Sequence, residues 1–298
     1  MGLQTRMLPY VRPDVYIFDV QKATDLHGID IMNFYRSTKT TLHEIFFFTQ
    51  KPKRIQLGDA WGTNPYHLFF YMLARFYFVD NGSTDIFFYY PKDTTNTQLF
   101  TEGAFASLPS RFKRETVKDD AYEYVELPGC NWHHDYIDEP WIYDYMRDLY
   151  KDVWSSTKQE KGKYSYIFRD PVYCKWRRVL NQDAVTTTLK KEGFSLYTME
   201  NLTFVDQIRL FRSSEFIVTA HASSLVHLVF CEPGTTILEI YPNIPGKNHF
   251  YDLARKMGHR YNRFTALDTF DETTEDLTIT VPVFRDVIIH LKKTMNSK

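Results

Sequence analysis

Residues 164–168, Tyr164-Ser-Tyr-Ile-Phe168, are a run of strand formers that opens onto Arg169, Lys175, Arg177 and Arg178. Asn181 then offers an N-cap to a helix over Gln182 to Glu192, which Gly193 closes in the left-handed C′ position. The alternation continues with a strand over Phe194 to Thr198. Thr203-Phe-Val-Asp206 is a capping-box-like start to a helix that ends near Phe211, and Phe216-Ile-Val-Thr219 is a short apolar strand. His221-Ala-Ser-Ser224 leads into a helical run over Leu225 to Phe230, Pro233-Gly234 turns the chain, and Thr236-Ile-Leu-Glu-Ile240 closes the series as a strand. Strands alternating with helices of about ten residues specify an α/β domain whose parallel sheet is covered on both faces.

Ligands of such sheets bind beyond the carboxyl ends of the strands. Arg169, the Arg177-Arg178 pair and the segment His221, Ala222, Ser223 and Ser224 all follow strands, so they converge on that one edge. Guanidinium groups, small hydroxyl residues and helix N-termini together suit a phosphorylated ligand, because unpaired N–H groups and the helix dipole favour negative charge. The edge therefore reads as a nucleotide or nucleotide-sugar site. Glu239, inside an apolar strand, is costly to bury unpaired. It either accepts hydrogen bonds from ribose hydroxyls or pairs with a neighbouring arginine.

Upstream, Val15 to Val20, Glu44 to Thr49, Arg54 to Leu57, Asp85 to Tyr90 and Tyr122 to Leu127 are strand-like. Gly58-Asp59 begins a loop that ends in Asn64-Pro-Tyr-His67, where Pro65 suits the first turn of a helix carrying Tyr66 through Phe78. Asp93 to Lys118 is polar and weakly patterned and reads as irregular, whereas Glu139 to Trp154 has apolar residues at helical spacing. The polar stretch Ser155 to Lys163 divides the chain into domains over 1–157 and 158–298. Phe250 to Tyr261 reads as a helix closed by Gly258, Asp268 to Asp276 as an acidic loop, Leu277 to Val283 as a strand and Phe284 to Met295 as a closing amphipathic helix.

The whole chain of 298 residues carries 36 basic and 37 acidic side chains, so no general attraction to nucleic acid or anionic membrane is expected. Its 24 Phe and 21 Tyr supply core, and flat faces on which sugar rings could pack. Cys130, Cys174 and Cys231 share no pairing motif or metal spacing, which indicates free thiols in a reducing compartment. The first residues lack the apolar run of a signal peptide, and the window Tyr66 to Val79 is too short to span a bilayer and contains Arg75. A cytoplasmic protein without a membrane span is the expectation, and the oligomeric state is left open.

The blocks Arg177-Arg-Val-Leu-Asn181, Gly193-Phe194, Phe204-Val-Asp-Gln207, His221-Ala-Ser-Ser-Leu225 and Pro233-Gly-Thr-Thr-Ile-Leu-Glu-Ile-Tyr-Pro242 resemble glycosyltransferase family 61 in order and spacing. Tyr251-Asp-Leu-Ala254 and Gly258 with Tyr261 continue the likeness, and Asn64-Pro-Tyr-His67 resembles the family's acceptor-domain His motif. The resemblance implies a GT-B arrangement: two Rossmann-like domains facing a cleft, with an acceptor-binding domain over 1–157 and a donor-binding domain over 158–298. It implies an inverting transfer from a UDP-sugar, with UDP-xylose, UDP-N-acetylglucosamine and UDP-arabinose as the family's donors and a glycan or glycoprotein as acceptor. Without an anchor the chain is similar to the xylosyltransferase-like members of large algal DNA viruses, which favours xylose. Where the family usually has His-Gly-Ala, this chain has His221-Ala222-Ser223, and His227 stands where Asn often follows.

No Asp-x-Asp pair occurs in the sequence, so neither a metal nor another cofactor is expected and the leaving diphosphate falls to Arg169, Arg177 or Arg178 and to helix N-termini. Asn181, His221 and Glu239 complete the expected donor set. An inverting transfer needs a base for the acceptor hydroxyl, and His67 and Asp59 are the candidates, with helix packing and loop capping as their alternative roles. His133-His134-Asp135 reads as an ordinary loop cluster, because adjacent histidines point in different directions. Two other possibilities are a catalytically silent binding module of the same fold and a Rossmann-type oxidoreductase; the latter is disfavoured because no Gly-x-Gly-x-x-Gly follows a strand.

Overall fold

The computed structural model describes residues 53–57, 63–80, 82–126, 136–139, 141–241, 248–265 and 267–296. The strand expectations at Val15–Val20 and Glu44–Thr49, and the residues Asp59, Cys130, His133, His134 and Asp135, lie outside them. The chain divides into two compact units, one of residues up to Asp93 with Leu108–Leu149, the other of Thr94–Ser107 with Tyr150–Lys298.

In the first unit, β1 (Lys53–Gln56) leads to a helical segment that starts as α1 (Pro65–His67), widens to a π-turn over Leu68–Met72 and tightens to a 3-10 helix over Leu73–Phe78. Asn64 caps α1 through its side chain, which accepts from Tyr66 N at 2.9 Å, and Pro65 occupies the first turn as expected. Leu68, Phe69, Phe70, Met72, Leu73, Ala74 and Phe76 are all fully buried, and with them Arg75, so this segment is held by packing around most of its circumference rather than by one amphipathic face. β2 (Ile86–Tyr89), β3 (Phe112–Glu115) and β4 (Glu123–Glu126) complete a sheet of order β3-β2-β1-β4, every pair parallel.

The expectation of an irregular Asp93 to Lys118 is corrected: it holds both β3 and the nine-residue helix α2 (Gln98–Ala106). Gly103 and the missing cap hide α2 from sequence patterning. Tertiary contact supplies what propensity does not. Glu139 to Trp154 is likewise not one helix, because α3 (Ile142–Leu149) is separated from α4 (Lys151–Trp154) at Tyr150.

The second unit contains β5 (Tyr164–Ile167), α5 (Gln182–Lys191), β6 (Phe194–Tyr197), α6 (Phe204–Ser213), β7 (Phe216–Ala220), a 3-10 helix over Ser223–Phe230, β8 (Thr236–Ile240), α7 (His249–Lys256) and β9 (Arg260–Phe264). A hairpin of β10 (Leu267–Phe270) and β11 (Leu277–Ile279) precedes α8 (Val281–Asn296), whose first turn accommodates Pro282. The helix expected to run to Tyr261 ends earlier. Gly258, at φ 74°, reverses the chain, and Arg260 begins β9.

The sheet order is β6-β5-β7-β8-β9, and all of its pairs are parallel, as the alternating pattern required. β7 and β8 are buried at every position, which is why they read as continuous apolar runs. On one face Tyr166, Val218, Leu238 and Ile240 pack with Val185 and Leu189 of α5 and Phe284 and Ile288 of α8. α2 joins this unit by packing on α6: Phe100 lies 5.5 Å from Phe204 ring to ring, and a Cβ on Gly103 would come within 2.7 Å of Phe204 Cβ. Among the described residues no helix is long and apolar enough to cross a membrane.

Candidate functional site

In the second sheet the chain passes from β6 on one side of β5 to β7 on the other, so the strand order reverses between β5 and β7. At such a reversal the two crossover connections leave in opposite directions and open a crevice beyond the strand ends. β5 delivers Arg169 there and β7 delivers His221 through Ser224. Arg169 Nε donates to the Trp176 carbonyl at 3.0 Å, which folds the loop after β5 back on itself.

Arg177 takes a left-handed backbone, φ 57°, an uncommon conformation for a side chain of this size. Its amide donates to the Thr274 carbonyl at 2.9 Å, and its Nη1 reaches the His221 carbonyl at 3.5 Å. Its Nε lies 3.1 Å from Glu275 Oε2, near enough for an ion pair but without hydrogen-bond alignment. Burial first, and then the charge of nearby Arg169, push the Arg177 pKa down, with Glu275 only partly opposing them. A largely buried guanidinium at the carboxyl edge of a parallel sheet is one that a bound anion would stabilise.

The two adjacent arginines part company. Arg178 gives its backbone N–H to Asp276 Oδ1 at 2.7 Å, and Nε and Nη2 to Oδ2 at 3.0 and 2.6 Å. Burial alone would raise Asp276, but these bonds outweigh it and hold its pKa below the usual carboxylate range. Asn181 does not use its side chain as a cap. Its Nδ2 donates to the Ile279 carbonyl at 2.8 Å and its Oδ1 accepts from the Ile279 amide at 3.0 Å. Arg178 and Asn181 therefore clamp the start of α5 to the β10–β11 hairpin, while Arg177 reaches the His221 segment.

His221 is 3% exposed, and its Nδ1 lies 2.7 Å from Oε1 of the fully buried Glu239. The other carboxylate oxygen accepts from Arg263 Nε at 3.2 Å, so of the two roles open to Glu239 the arginine pairing is the one the geometry contains. Arg263 also stacks over Tyr241 at 4.0 Å and donates to Asn248 Oδ1 at 2.8 Å. Sequence reading missed Arg263 because no strand was assigned after the helix closed by Gly258; β9 is short and only partly buried, so its pattern is weak. Ala222 is extended at φ −155° and buried, Ser223 starts the 3-10 helix, and the Ser224 Oγ is buried without a hydrogen-bond partner among the described residues.

His227 is fully buried and stacks on Phe211 at 5.1 Å, with its Nδ1 2.9 Å from the Ser224 carbonyl. Burial lowers its pKa to about 4 against that hydrogen bond. The unfolded chain takes up a proton near pH 6.5 that folded His227 refuses until about pH 4, so stability is complete above pH 6.5 and falls as the pH drops. The expected loss at this residue is roughly 2 kcal/mol by pH 5. Urea unfolding at stepped pH measures it; a His227→Leu variant with the same pH slope as the parent would assign the effect elsewhere.

The first sheet reverses order between β1 and β4. His67 closes α1, which follows β1, and its ring lies 4.8 Å from Tyr71 and 5.9 Å from Tyr66. In each unit the candidate residues thus follow the strand at which the order reverses. Among the described residues, no three His, Cys, Asp or Glu side chains group as metal ligands.

Comparison with known proteins adds to this geometry. EGF domain-specific O-linked N-acetylglucosamine transferase of Drosophila melanogaster is 31% identical over 113 residues, 37% of this chain and 21% of that protein. The Mus musculus protein of the same name is 30% identical over 109 residues, 35% of this chain and 20% of that protein. The match thus spans about a fifth of the length of these relatives. Among solved structures, a mutant flavo di-iron protein from Thermotoga maritima aligns at a TM-score of 0.34 and 13% identity, over 51% of this chain and 40% of that one. The family model for Glycosyltransferase 61 matches residues 66–238, a span that runs from the helical segment after β1 into β8 and includes Arg169, Arg177 and the His221 segment. The chain belongs to the glycosyltransferase 61 family.

Proposed function

We propose that this chain transfers a sugar from a UDP-sugar to a hydroxyl of a glycan or glycoprotein, with inversion and without a metal. The observation that carries the reading is the position of Arg169, Arg177 and the His221 segment after β5 and β7, the two strands between which the order of a parallel sheet reverses, with Arg177 Nη1 reaching the His221 carbonyl. The two arginines meet the charge that develops on the diphosphate as it leaves, a preorganised role that does not need an ion. His221, Ala222, Ser223 and Ser224 supply the other wall of the donor site. The acceptor hydroxyl loses its proton to His67 or Asp59, which belong to the first unit in the GT-B arrangement that family membership suggests.

The sugar is N-acetylglucosamine or xylose. The name of the relatives favours the first, and the likeness to xylosyltransferase-like members favours the second. A catalytically silent module of the same fold would share the arginines but release no UDP.

The decisive experiment measures UDP release and thermal stabilisation with UDP-N-acetylglucosamine, UDP-xylose, GDP-sugars and nicotinamide nucleotides, with and without EDTA. Stabilisation by UDP and slow release from one UDP-sugar, both surviving EDTA, are expected. Stabilisation by UDP without turnover of any donor would leave the silent module. No response to any nucleotide would remove the donor site altogether.

A further inference from the structure

Between β9 and the start of α7 lies an open cavity of about 310 Å³, lined by Asn248, Tyr251, Asp252, Tyr261 and Arg263. None of these residues belongs to the proposed diphosphate contacts. Tyr251 is 42% exposed, and its ring meets Tyr261 edge-on at 5.9 Å, so aromatic surface is open to a ligand. The cavity's one cation is already engaged: Arg263 gives Nε to buried Glu239 at 3.2 Å and Nη1 to Asn248 Oδ1 at 2.8 Å. Asp252 forms no ion pair among the described residues, so the lining, with one acid and one base, is formally neutral and its arginine is already engaged. Nothing in it is arranged to attract a diphosphate.

What the lining offers is a carboxylate that only accepts, an amide nitrogen that only donates, and the phenol of exposed Tyr251, which does either. That set matches neighbouring hydroxyls, each of which donates and accepts, and the exposed phenol ring matches the C–H face of a saturated ring. We infer that this cavity is a subsite for a neutral pyranose ring, with Tyr251 as its platform and Asp252 as its hydroxyl acceptor. The inference rests on the glycosyltransferase reading only for the choice of sugars tried. The ring could come from the donor's transferred sugar or from the acceptor glycan, since both present the same hydroxyls.

The test is ligand-observed NMR on the full chain with methyl glycosides of xylose and N-acetylglucosamine, alongside calorimetric titration of UDP into the same samples. At least one glycoside is expected to bind in the millimolar range, the affinity of a single small ring. Tyr251→Ala should weaken it roughly tenfold and Asp252→Asn about threefold to tenfold, with UDP affinity unchanged. The second variant is isosteric and partly exposed, so it guards against misfolding as the cause. Displacement of the glycoside by a UDP-sugar but not by UDP assigns the subsite to the donor sugar, and insensitivity to both assigns it to the acceptor. Displacement by UDP alone, glycoside binding that ignores both substitutions, or no glycoside binding overturns the inference. UDP binding without glycoside binding defeats the subsite alone, and the reverse defeats the donor site alone.

Discussion

Arg177→Ala is expected to lower kcat/KM for UDP-sugar turnover by about 10²–10³-fold, the loss typical of removing one preorganised charge donor from a developing anion. Its effect on stability is expected to stay within about 1 kcal/mol. The ion pair with Glu275 is partly solvated, with side chains 30% and 24% exposed, and such pairs contribute little. The left-handed backbone at position 177 supports the same division of labour. Holding a non-glycine residue at φ 57° costs about 1–2 kcal/mol, so the local fold loses by placing arginine here while the sheet edge gains a guanidinium beside Arg169 and His221. Steady-state kinetics together with urea unfolding of Arg177→Ala and Arg178→Ala separate the roles. Arg178→Ala should lose stability through Asp276, and a kcat/KM for Arg177→Ala within a few fold of the parent would remove Arg177 from the donor site.

Glu239→Ala is expected to destabilise the chain by about 3–5 kcal/mol, because it removes the fully buried carboxylate shared by His221 and by Arg263. Glu239→Gln keeps the shape and one acceptor oxygen, so its loss should be smaller. Urea midpoints at constant m value give both numbers. A Glu239→Ala protein as stable as the parent, but with weakened UDP binding, would return Glu239 to the ribose role. The two measurements bear on different links: Arg177 on how the edge meets charge, Glu239 on whether the edge exists.

Much of the second unit could be read from residues alone, since its signals are local. Thr203 caps α6, accepting from Asp206 N at 3.2 Å; Gly193 takes φ 85° after α5; and the apolar runs of β7 and β8 could only be central strands of a covered parallel sheet. Alternation of strand and helix then places Arg169, Arg177, Arg178 and His221 on one edge. α2 was not legible, because its helix is held by Phe204 of α6, about a hundred residues later in the chain. Sequence patterning weighs neighbours within a turn or two, and a helix packed on distant residues such as Phe204 and His227 leaves a weak local mark.

The sequence by itself determined the fold class, the parallel order of strand and helix in the second unit, and the family to which the chain belongs. Only the tertiary structure decided which of two neighbouring arginines faces the candidate site. Arg177 and Arg178 are chemically identical in the sequence, yet a left-handed backbone turns the first toward His221 while Asp276, 98 residues after Arg178, holds the second against the β10–β11 hairpin. It also decided that Glu239 joins His221 to Arg263, because strand register, a long-range property, sets Glu239 opposite Arg263 on β9. Side-chain type is written locally; the partner that fixes its role is chosen by whichever distant segment the packed sheet brings alongside.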